Sequence, residues 1–419
     1  MNDFLIIFKN KHFLYLWSSQ VLSQLTINIM NFLLLTHLFN VTGSSIATSL
    51  LWVSYALPAI FFGPIGAAWV DLINRRKILM LTNFLQALTV FLYFFTYGGS
   101  IFLLYFVVIV YSFFNQFYVP AENASLPSLV AKESLPQANS IFFITQQASL
   151  VIGFALAGVI LRFFGFSGSL LLCGTFLFLA FISVTFLPQM KPQKKTPERL
   201  DKLLIAFFES ILEGYRFIKG KRAILFPLLL LMSIQVSLAM ILVTLPVLAQ
   251  EILHVSVNYA GLLLVVPAGL GAITGSFYVS RFLKTGNRKK SVIELGLGTL
   301  SVSLLLIVFL TPFLSGILPA ISGPILLFFA GLGFVSITIP TLTYLQEVTP
   351  IWLRGRVFGN LWFLITIATI FPVLFSGVIT EFFGVSSLLV LIVLGLLFAL
   401  YYSKEHGQSM IEENFTTQD

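Results

Sequence analysis

Long apolar segments recur along the whole chain with only short interruptions between them, and this pattern leaves few folds open. A bilayer core of roughly 30 Å is crossed by a helix of about 20 apolar residues. We therefore predict an all-α integral membrane protein. Its twelve predicted transmembrane helices are residues 14–38, 46–70, 78–98, 101–120, 141–163, 168–187, 224–249, 258–280, 291–311, 321–345, 358–380 and 386–402.

The composition agrees with a membrane protein and excludes a soluble one. The sequence is 58% hydrophobic and only 10% charged, and it holds 45 Phe in 419 residues. No soluble domain of this length has such a composition. The net charge of +8 could suggest nucleic acid, but the basic residues lie in loops between the spans. They are therefore interpreted as determinants of topology, and no nucleic-acid partner is expected.

The basic loops indicate the orientation of the chain in its membrane. With an even number of spans both termini share one side, and every Lys and Arg except Arg162 lies on that side. The positive-inside rule then predicts that both termini are cytoplasmic and that the protein is a multi-pass component of the plasma (inner) membrane. The single cysteine, Cys173, excludes a disulfide within the chain.

One clear break divides the predicted spans into two sets of six. Pro188 and Pro192 precede a charged run, after which apolar residues fall at helical spacing between residues 203 and 217. This spacing predicts an amphipathic helix at the membrane surface. The predicted domains are an N-terminal six-helix bundle at 1–190, a cytoplasmic linker at 191–223, and a C-terminal six-helix bundle with a cytoplasmic tail at 224–419. Two repeated six-span halves are typical of transporters that rock around a central site.

The loop after the second span carries an acid followed by basic residues, Asp71, Arg75, Arg76 and Lys77. It resembles the G-x-x-x-D-R-x-G-R-R/K signature of the major facilitator superfamily, although three signature positions differ, namely Ala67, Leu72 and Asn74. A turn with positive-inside charges would explain the basic residues but not Asp71. The resemblance implies a conformational switch made of Asp71, Arg75, Arg76 and the start of the eleventh span at Gly359. An acid near a helix N-terminus is stabilised by the helix dipole.

Two further loops resemble those of one branch of this superfamily. The loop from Pro120 to Asn139 and the matching loop from Gln346 to Phe358 resemble those of the macrolide-exporter and enterobactin-exporter branch of drug antiporters. This implies two pseudo-symmetric bundles with a cavity between them. Two positions depart from the branch: Tyr111 stands where an intramembrane Arg is frequent, and Phe154 stands where Pro usually follows the glycine of the fifth span. Both departures bear on proton coupling.

The predicted spans hold amides in place of charges near the membrane midplane. Four of them fall on one helical face of the first span, and an amide facing lipid would lack hydrogen-bond partners. We therefore predict substrate-binding cavity residues on this and other spans; hydrogen bonding between helices is the alternative reading. The candidates are Gln20, Gln24, Asn28, Asn31, Asn115, Gln116, Gln146 and Gln235.

No acidic residue lies near the middle of a predicted span, and the five glutamates within or beside the spans lie near span ends, where they are expected to be interfacial and solvated. They are Glu122, Glu251, Glu294, Glu347 and Glu381. Ionisable groups within membranes are frequently functional. Glu122 is the coupling candidate because it follows Pro120, the predicted end of the fourth span, near the level of Arg75 and Arg76.

These features together predict a secondary active transporter that exports an amphipathic small molecule, drug or siderophore-like, by alternating access. Its expected partners are the substrate, membrane lipids and, as the resemblance implies, protons, and the protein is expected to be a monomer. No enzyme activity, cofactor or metal site is expected, because the four His are scattered and no phosphate-binding loop occurs. The alternatives are a lysophospholipid or lipid transporter of the same fold, and a non-transporting membrane receptor or scaffold.

Overall fold

The computed structural model describes residues 7–70, 72–190, 209, 212, 222–284, 288–349 and 351–412. Asp71 and nearly all of the predicted linker at 191–223 lie outside the described residues. Gly359 lies within a described helix, but the surroundings of residues 351–360 are outside the description.

The described chain is helical almost throughout. Its α-helices are α1 Lys11–Thr42, α2 Ser45–Val70, α3 Arg75–Thr96, α4 Ile101–Leu129, α5 Leu135–Thr185, α6 Arg222–Val243, α7 Leu245–Glu251, α8 Val266–Lys284, α9 Lys289–Phe309, α10 Leu318–Val348 and α11 Ile351–Glu412. Short 3-10 turns at Lys132–Ser134, Val257–Tyr259 and Thr311–Phe313 and a π-helical turn at Gly261–Val265 connect some of them.

Ten segments of the described chain are long and apolar enough to cross a membrane. Two of these segments contain a glycine with positive φ, Gly165 in α5 (φ 67°) and Gly384 in α11 (φ 79°), and each consists of two helices joined at that glycine. A residue without a Cβ adopts such a conformation at little cost, so glycine permits the sharp break.

Prolines do not end the helices where the sequence pattern suggested. The fourth span was expected to end at Pro120, yet α4 continues through Pro120 and Pro127 to Leu129. A proline removes one backbone hydrogen bond, but helices packed against their neighbours in a membrane protein tolerate that loss. Glu122 therefore lies inside a helix and not in the loop after it.

The chain divides into two compact units. The first consists of residues 1–42 and 50–207, and the second of residues 43–49 and 208–419. In the first unit α1 packs along α5, and α3 packs against both α4 and α5. Its core includes Phe13, Leu16, Leu79 and Tyr118, which are all buried.

In the second unit α10 lies between α8 and α9, and α11 packs against α6 and α9. Small residues permit the close approach of α8 to α10. A Cβ added to Gly271 would lie 1.8 Å from the carbonyl oxygen of Phe328, and one added to Gly331 would lie 1.9 Å from that of Ala268. Such close backbone contact is typical of helix pairs in membranes, where packing drives association.

Candidate functional site

A buried carboxyl group with a hydroxyl partner lies inside the first unit. Tyr118 and Glu122 are four residues apart on α4, so their side chains lie side by side on one face of the helix. The Tyr118 hydroxyl donates a 2.7 Å hydrogen bond to Oε1 of Glu122. Only 1% of Tyr118 and 3% of Glu122 is exposed. The expectation of a solvated acid at this position is therefore wrong, because α4 continues past Pro120 and encloses Glu122 in the bundle.

Polar side chains of two other helices extend this pair into a hydrogen-bonded chain. Ser23 of α1 donates to the Tyr118 hydroxyl oxygen at 3.0 Å, and the Ser19 hydroxyl lies 3.3 Å from that oxygen. Asn83 of α3 donates through Nδ2 to Oγ of Ser19 at 3.0 Å. We call Glu122, Tyr118, Ser19, Ser23 and Asn83 the polar chain. It connects α4, α1 and α3.

The polar chain is buried and incompletely satisfied. Ser19, Ser23 and Asn83 are each at most 5% exposed, and Oδ1 of Asn83 has no hydrogen-bond partner among the described residues. Buried polar atoms in folded proteins nearly always have partners, so an exception has functional interest. Hydroxyl and carboxyl groups in series can accept, hold and release a proton without covalent chemistry.

The two arginines predicted to act in the switch are bound by neighbouring helices of their own unit. Nη1 of Arg75, which is buried, donates to the carbonyl oxygen of Ala124 at 2.9 Å and to Oγ of Ser128 at 3.2 Å. Arg76 donates through Nη2 to the carbonyl oxygen of Thr185. Arg75 thus contacts the end of α4, about one turn beyond Glu122. Their role in a switch with Asp71 and Gly359 stays a prediction.

Asn74, one of the departures from the signature, has a local structural role. Its Oδ1 accepts from the backbone N–H of Arg76 at 3.1 Å and so caps the N-terminus of α3. Asparagine is among the favoured N-cap residues. The same oxygen lies 3.4 Å from the backbone nitrogen of Met190, which donates to it.

The amides of α1 do not all occupy the same environment. Gln20 is buried and donates through Nε2 to the carbonyl oxygen of Phe142 at 3.3 Å, which connects α1 to α5. Asn28 is buried where α1 meets α5, since a Cβ added to Gly153 would lie 2.6 Å from Cβ of Asn28. Gln24 and Asn31 are half-buried. Gln20 and Asn28 thus lie at contacts between helices, and Gln24 and Asn31 are the more accessible of the four candidate amides on α1.

The remaining cavity candidates lie in different places. Asn115 of α4 donates to the Tyr55 hydroxyl at 3.0 Å, and Gln116 donates to the backbone oxygen of Ser112 at 3.0 Å within its own helix. Gln146 is exposed on α5, and Gln235 is half-buried on α6, where its Oε1 has no partner within the described part of the chain. The structure therefore does not bring the eight amides into one described cluster, and their contact with substrate stays a prediction.

The two departures from the exporter branch are packing residues. Tyr111 is buried, and its backbone oxygen accepts from Nε2 of Gln86 at 3.4 Å. Phe154 is also buried and makes an edge contact with Phe32, with ring centroids 5.7 Å apart.

Of the other acids near predicted span ends, those of the second unit have polar partners. Glu347 pairs with Lys289, and Glu294 lies 3.8 Å from Nζ of Lys290 and accepts from the Ser403 hydroxyl at 3.1 Å. Within the described residues, no three His, Cys, Asp or Glu side chains come together as metal ligands would.

Sequence reasoning identified Glu122 but missed the rest of the polar chain. Tyr118 with Glu122, and Ser19 with Ser23, are each spaced four residues apart, and that spacing is a usable signal for side chains on one helix face. Nothing local to the sequence shows that Ser19 and Asn83 meet, because their contact joins helices that are far apart in the chain.

Comparison with known proteins decides the family. The family model described as Major Facilitator Superfamily matches residues 16–371. The chain belongs to the major facilitator superfamily. Membership makes it a multi-pass membrane transporter of small molecules and not an enzyme.

Similar proteins include members of this superfamily from one bacterium. The chain is 30% identical over 398 residues to the uncharacterized MFS-type transporter YfiS of Bacillus subtilis (strain 168), covering 91% of this chain and 89% of that protein. It is 24% identical over 384 residues to YfmI of the same strain, covering 88% and 89%. A shorter match, 26% identical over 153 residues, covers 35% of this chain and 37% of macrolide efflux protein A of Streptococcus pyogenes.

Solved structures of low sequence identity share the fold. A bacterial homologue of the human lysosomal transporter Spinster, in an inward-facing and occupied conformation, has a TM-score of 0.75 at 12% identity, with 97% of this chain and 98% of that chain covered. A bacterial homologue of the iron transporter ferroportin, inward-facing, has a TM-score of 0.73 at 15% identity, with 94% and 98% covered. These likenesses confirm the all-α membrane fold of the superfamily.

Proposed function

We propose that this protein is a proton-coupled secondary transporter that exports an amphipathic small molecule, drug or siderophore-like, by alternating access. The observation that carries the proposal is the buried carboxyl group of Glu122, bound by Tyr118 within the polar chain. A proton that binds there changes the charge of a group enclosed among three helices, and burial of an unpaired charge is costly. Proton binding therefore biases how these helices pack, which is how a proton gradient can drive a conformational cycle.

The helix arrangement agrees with a transporter of twelve helices in two bundles. The described chain has ten long apolar segments. Two of them, in α5 and α11, each consist of two helices joined at Gly165 and Gly384, so the ten segments contain twelve helices. Together with the two compact units, this supports bundles of six helices each. Bundles of this kind transport by moving about a site near the membrane midplane.

Export of an amphipathic compound is favoured by the partial similarity to macrolide efflux protein A and by the uncharged amides near the middle of the helices. Half-buried Gln24 and Asn31 of α1 are the amides best placed to contact such a cargo, since they are the more accessible members of the α1 stripe. Amide groups orient a ligand by hydrogen bonds within an otherwise apolar cavity.

The experiment that tests the proposal is transport by the purified full chain in proteoliposomes. Radiolabelled erythromycin, a macrolide, is the first probe, and its movement is measured with and without a pH gradient. We expect transport that the gradient accelerates and that Glu122→Gln makes insensitive to the gradient. Exposed Glu133 lies in the 3-10 turn after α4, and Glu133→Gln is the matched control that should behave like the wild type.

Other outcomes favour the alternatives. Transport of erythromycin at the same rate with and without the gradient would contradict proton coupling. Movement of a fluorescent lysophosphatidylcholine in place of erythromycin would indicate a lipid transporter. Movement of neither probe by a folded protein would contradict export of this substrate class.

A further inference from the structure

A Phe-Phe-Gly sequence occurs at the helix break of each unit. Residues 163–165 divide α5 in the first unit, and residues 382–384 divide α11 in the second. The glycine has a positive φ in both, and helix continues directly on either side of it, so the two helices are joined without a loop. The four phenylalanines are 61–76% exposed. The same three residues, with the same kind of break and similar exposure, thus recur in the two units.

Packing of the residue after each glycine fixes the exposed rings on the outside. The ring of Phe166 stacks on His37 of α1 with centroids 3.9 Å apart, and it makes an edge contact with Tyr97 with centroids 5.4 Å apart. Val385 is fully buried, and its backbone N–H donates to Oε2 of Glu251 at 3.3 Å. Because the chain is held inside on this side of each break, the two phenylalanines before the glycine remain on the surface of their unit.

A second turn with exposed phenylalanines lies at the same end of each unit. We call this the far end, because it is opposite to the end where the first helix of the unit, α1 or α6, begins, and successive spans cross in opposite directions. In the first unit the turn from α3 to α4 carries Phe95 and Phe102, which are 78% and 82% exposed. In the second unit the turn from α9 to α10 carries Phe309 and Phe313, which are 59% and 85% exposed. Two of the three far-end turns of each unit thus expose phenylalanine.

The remaining turns are polar at their exposed positions. At the opposite end, the turn between α4 and α5 exposes Lys132 and Glu133, and the turn between α8 and α9 exposes Arg288. The third far-end turn is also polar in each unit, with Asn40 exposed in the last turn of α1 and His254 exposed between α7 and α8. Turns in water are rich in polar residues. The turns with phenylalanine are therefore the exception, and exposed apolar patches of this kind mark contact with a membrane or with protein.

We propose that the Phe-Phe-Gly breaks lie within the hydrocarbon of the bilayer, with lipid acyl chains as the partner of the exposed rings, and that they anchor the far end of each unit there. The rings continue the exposed apolar surface of their own helices, since Val159 and Val378, one turn before each pair, are exposed too. Removal of apolar surface from water is favourable. Phenylalanine, unlike the Trp and Tyr of interfacial belts, has no polar group to keep among the headgroups. The breaks therefore lie in lipid, whereas the turns with Asn40 and His254 lie in water.

Spin-label accessibility in liposomes tests the immersion. Phe164→Cys and Phe383→Cys, each in a Cys173→Ala background of the full chain, carry a nitroxide, and its collisions with oxygen and with a polar nickel complex are measured. We expect the ratio of oxygen to nickel collisions to be about fivefold or more above that of labels at Asn40→Cys and His254→Cys, because a polar complex is excluded from hydrocarbon. A ratio at either phenylalanine position equal to that of the controls would overturn the immersion. Few collisions with both reagents would mean that protein, such as a second copy of this chain, covers the rings, and would overturn lipid as their partner.

The anchoring is tested with a label that does not replace a ring. Val159→Cys in the same background carries the nitroxide, and Phe163→Ser with Phe164→Ser changes the pair before the break. We expect nickel collisions at the label to rise severalfold, because the break then leaves the hydrocarbon. The control is Phe143→Ser with Ile144→Ser, since these adjacent residues of α5 are similarly exposed, at 63% and 61%, but lie far from the break. Unchanged nickel collisions after loss of both rings, or an equal rise in the control, would overturn the anchoring.

Thermal denaturation in detergent verifies that each variant is folded, and Phe163→Ser alone replaces the double variant if that protein does not insert into liposomes. Neither measurement uses transport. If the labels report lipid as expected while the same liposomes move no erythromycin, the membrane contact stands and the proposed function fails.

Discussion

Tyr118 donates a 2.7 Å hydrogen bond to Glu122 one turn further along α4, and both side chains are almost completely buried. An exposed pair of the same kind exists on α11, where Tyr401 donates to Glu405, again four residues apart. The same two side chains at the same spacing thus occur once inside a bundle and once at its surface. The buried pair continues into α1 and α3 through Ser19, Ser23 and Asn83, so its hydrogen bonds connect three helices.

The first prediction concerns the contribution of the Tyr118 hydroxyl to stability. Tyr118→Phe leaves Glu122, Ser19 and Ser23 without their shared partner, and a buried polar group that loses its partner costs about 1–3 kcal/mol. We expect a clear fall in unfolding temperature, measured by thermal denaturation in detergent. Tyr401→Phe is the control, since water replaces its lost bond, and its unfolding temperature should match that of the wild type. Equal unfolding temperatures for both variants would mean that the polar chain contributes nothing to stability.

The second prediction concerns pH. If Glu122 is the group that binds the coupled proton, Glu122→Gln removes the only carboxyl group of the polar chain and keeps its size. We expect the variant to transport erythromycin at a rate that no longer varies with pH, while the wild type and Glu133→Gln retain the variation. The measurement is the initial rate in proteoliposomes over a pH series. A pH profile in Glu122→Gln identical to that of the wild type would exclude Glu122 from coupling.

The third prediction separates two amides of α1. Gln20 connects α1 to the backbone of α5, so Gln20→Leu should lower the unfolding temperature, with about 1 kcal/mol lost for the hydrogen bond. Gln24 is half-buried one turn away, and Gln24→Leu should instead change the apparent affinity for substrate. Thermal denaturation and the concentration dependence of transport are measured for both. A loss of stability without a change of affinity in Gln24→Leu would remove Gln24 from the binding site.

Much of the fold follows from the sequence because apolar length alone determines where a helix can cross a membrane. Helix ends were harder to predict. The seventh span was predicted at 224–249, but α6 ends at Val243 and a separate helix, α7, begins at Leu245. Thr244 leaves the helical conformation there, and Pro246 lies in the first turn of the new helix. Both segments are apolar, so the hydropathy pattern does not show this break.

The candidate site was less predictable than the fold for a related reason. Glu122 was identified as an unusual acid, but its burial was not, because Pro120 was interpreted as the end of a helix that in fact continues. Amides at helical spacing predicted a polar stripe, yet spacing cannot distinguish a cavity from a neighbouring helix. For Gln20 and Asn28 the neighbour is α5, and Gly153 permits the close contact.

The last prediction concerns Asp71, whose signature resemblance is the strongest single argument for a switch at this end of the protein. Loss of one charge from a helix-end contact changes the free energy difference between two conformations by about 1 kcal/mol, or roughly fivefold in their ratio. Asp71→Asn should therefore slow transport several-fold in a protein that inserts and unfolds like the wild type. Arg75→Ala is a weaker test of the switch. Arg75 also connects α3 to the end of α4 by hydrogen bonds to Ala124 and Ser128. Its loss should therefore lower the stability of the protein as well as slow transport. Transport at the wild-type rate by Asp71→Asn would contradict the switch, and equal unfolding temperatures for Arg75→Ala and the wild type would contradict the structural role assigned to Arg75.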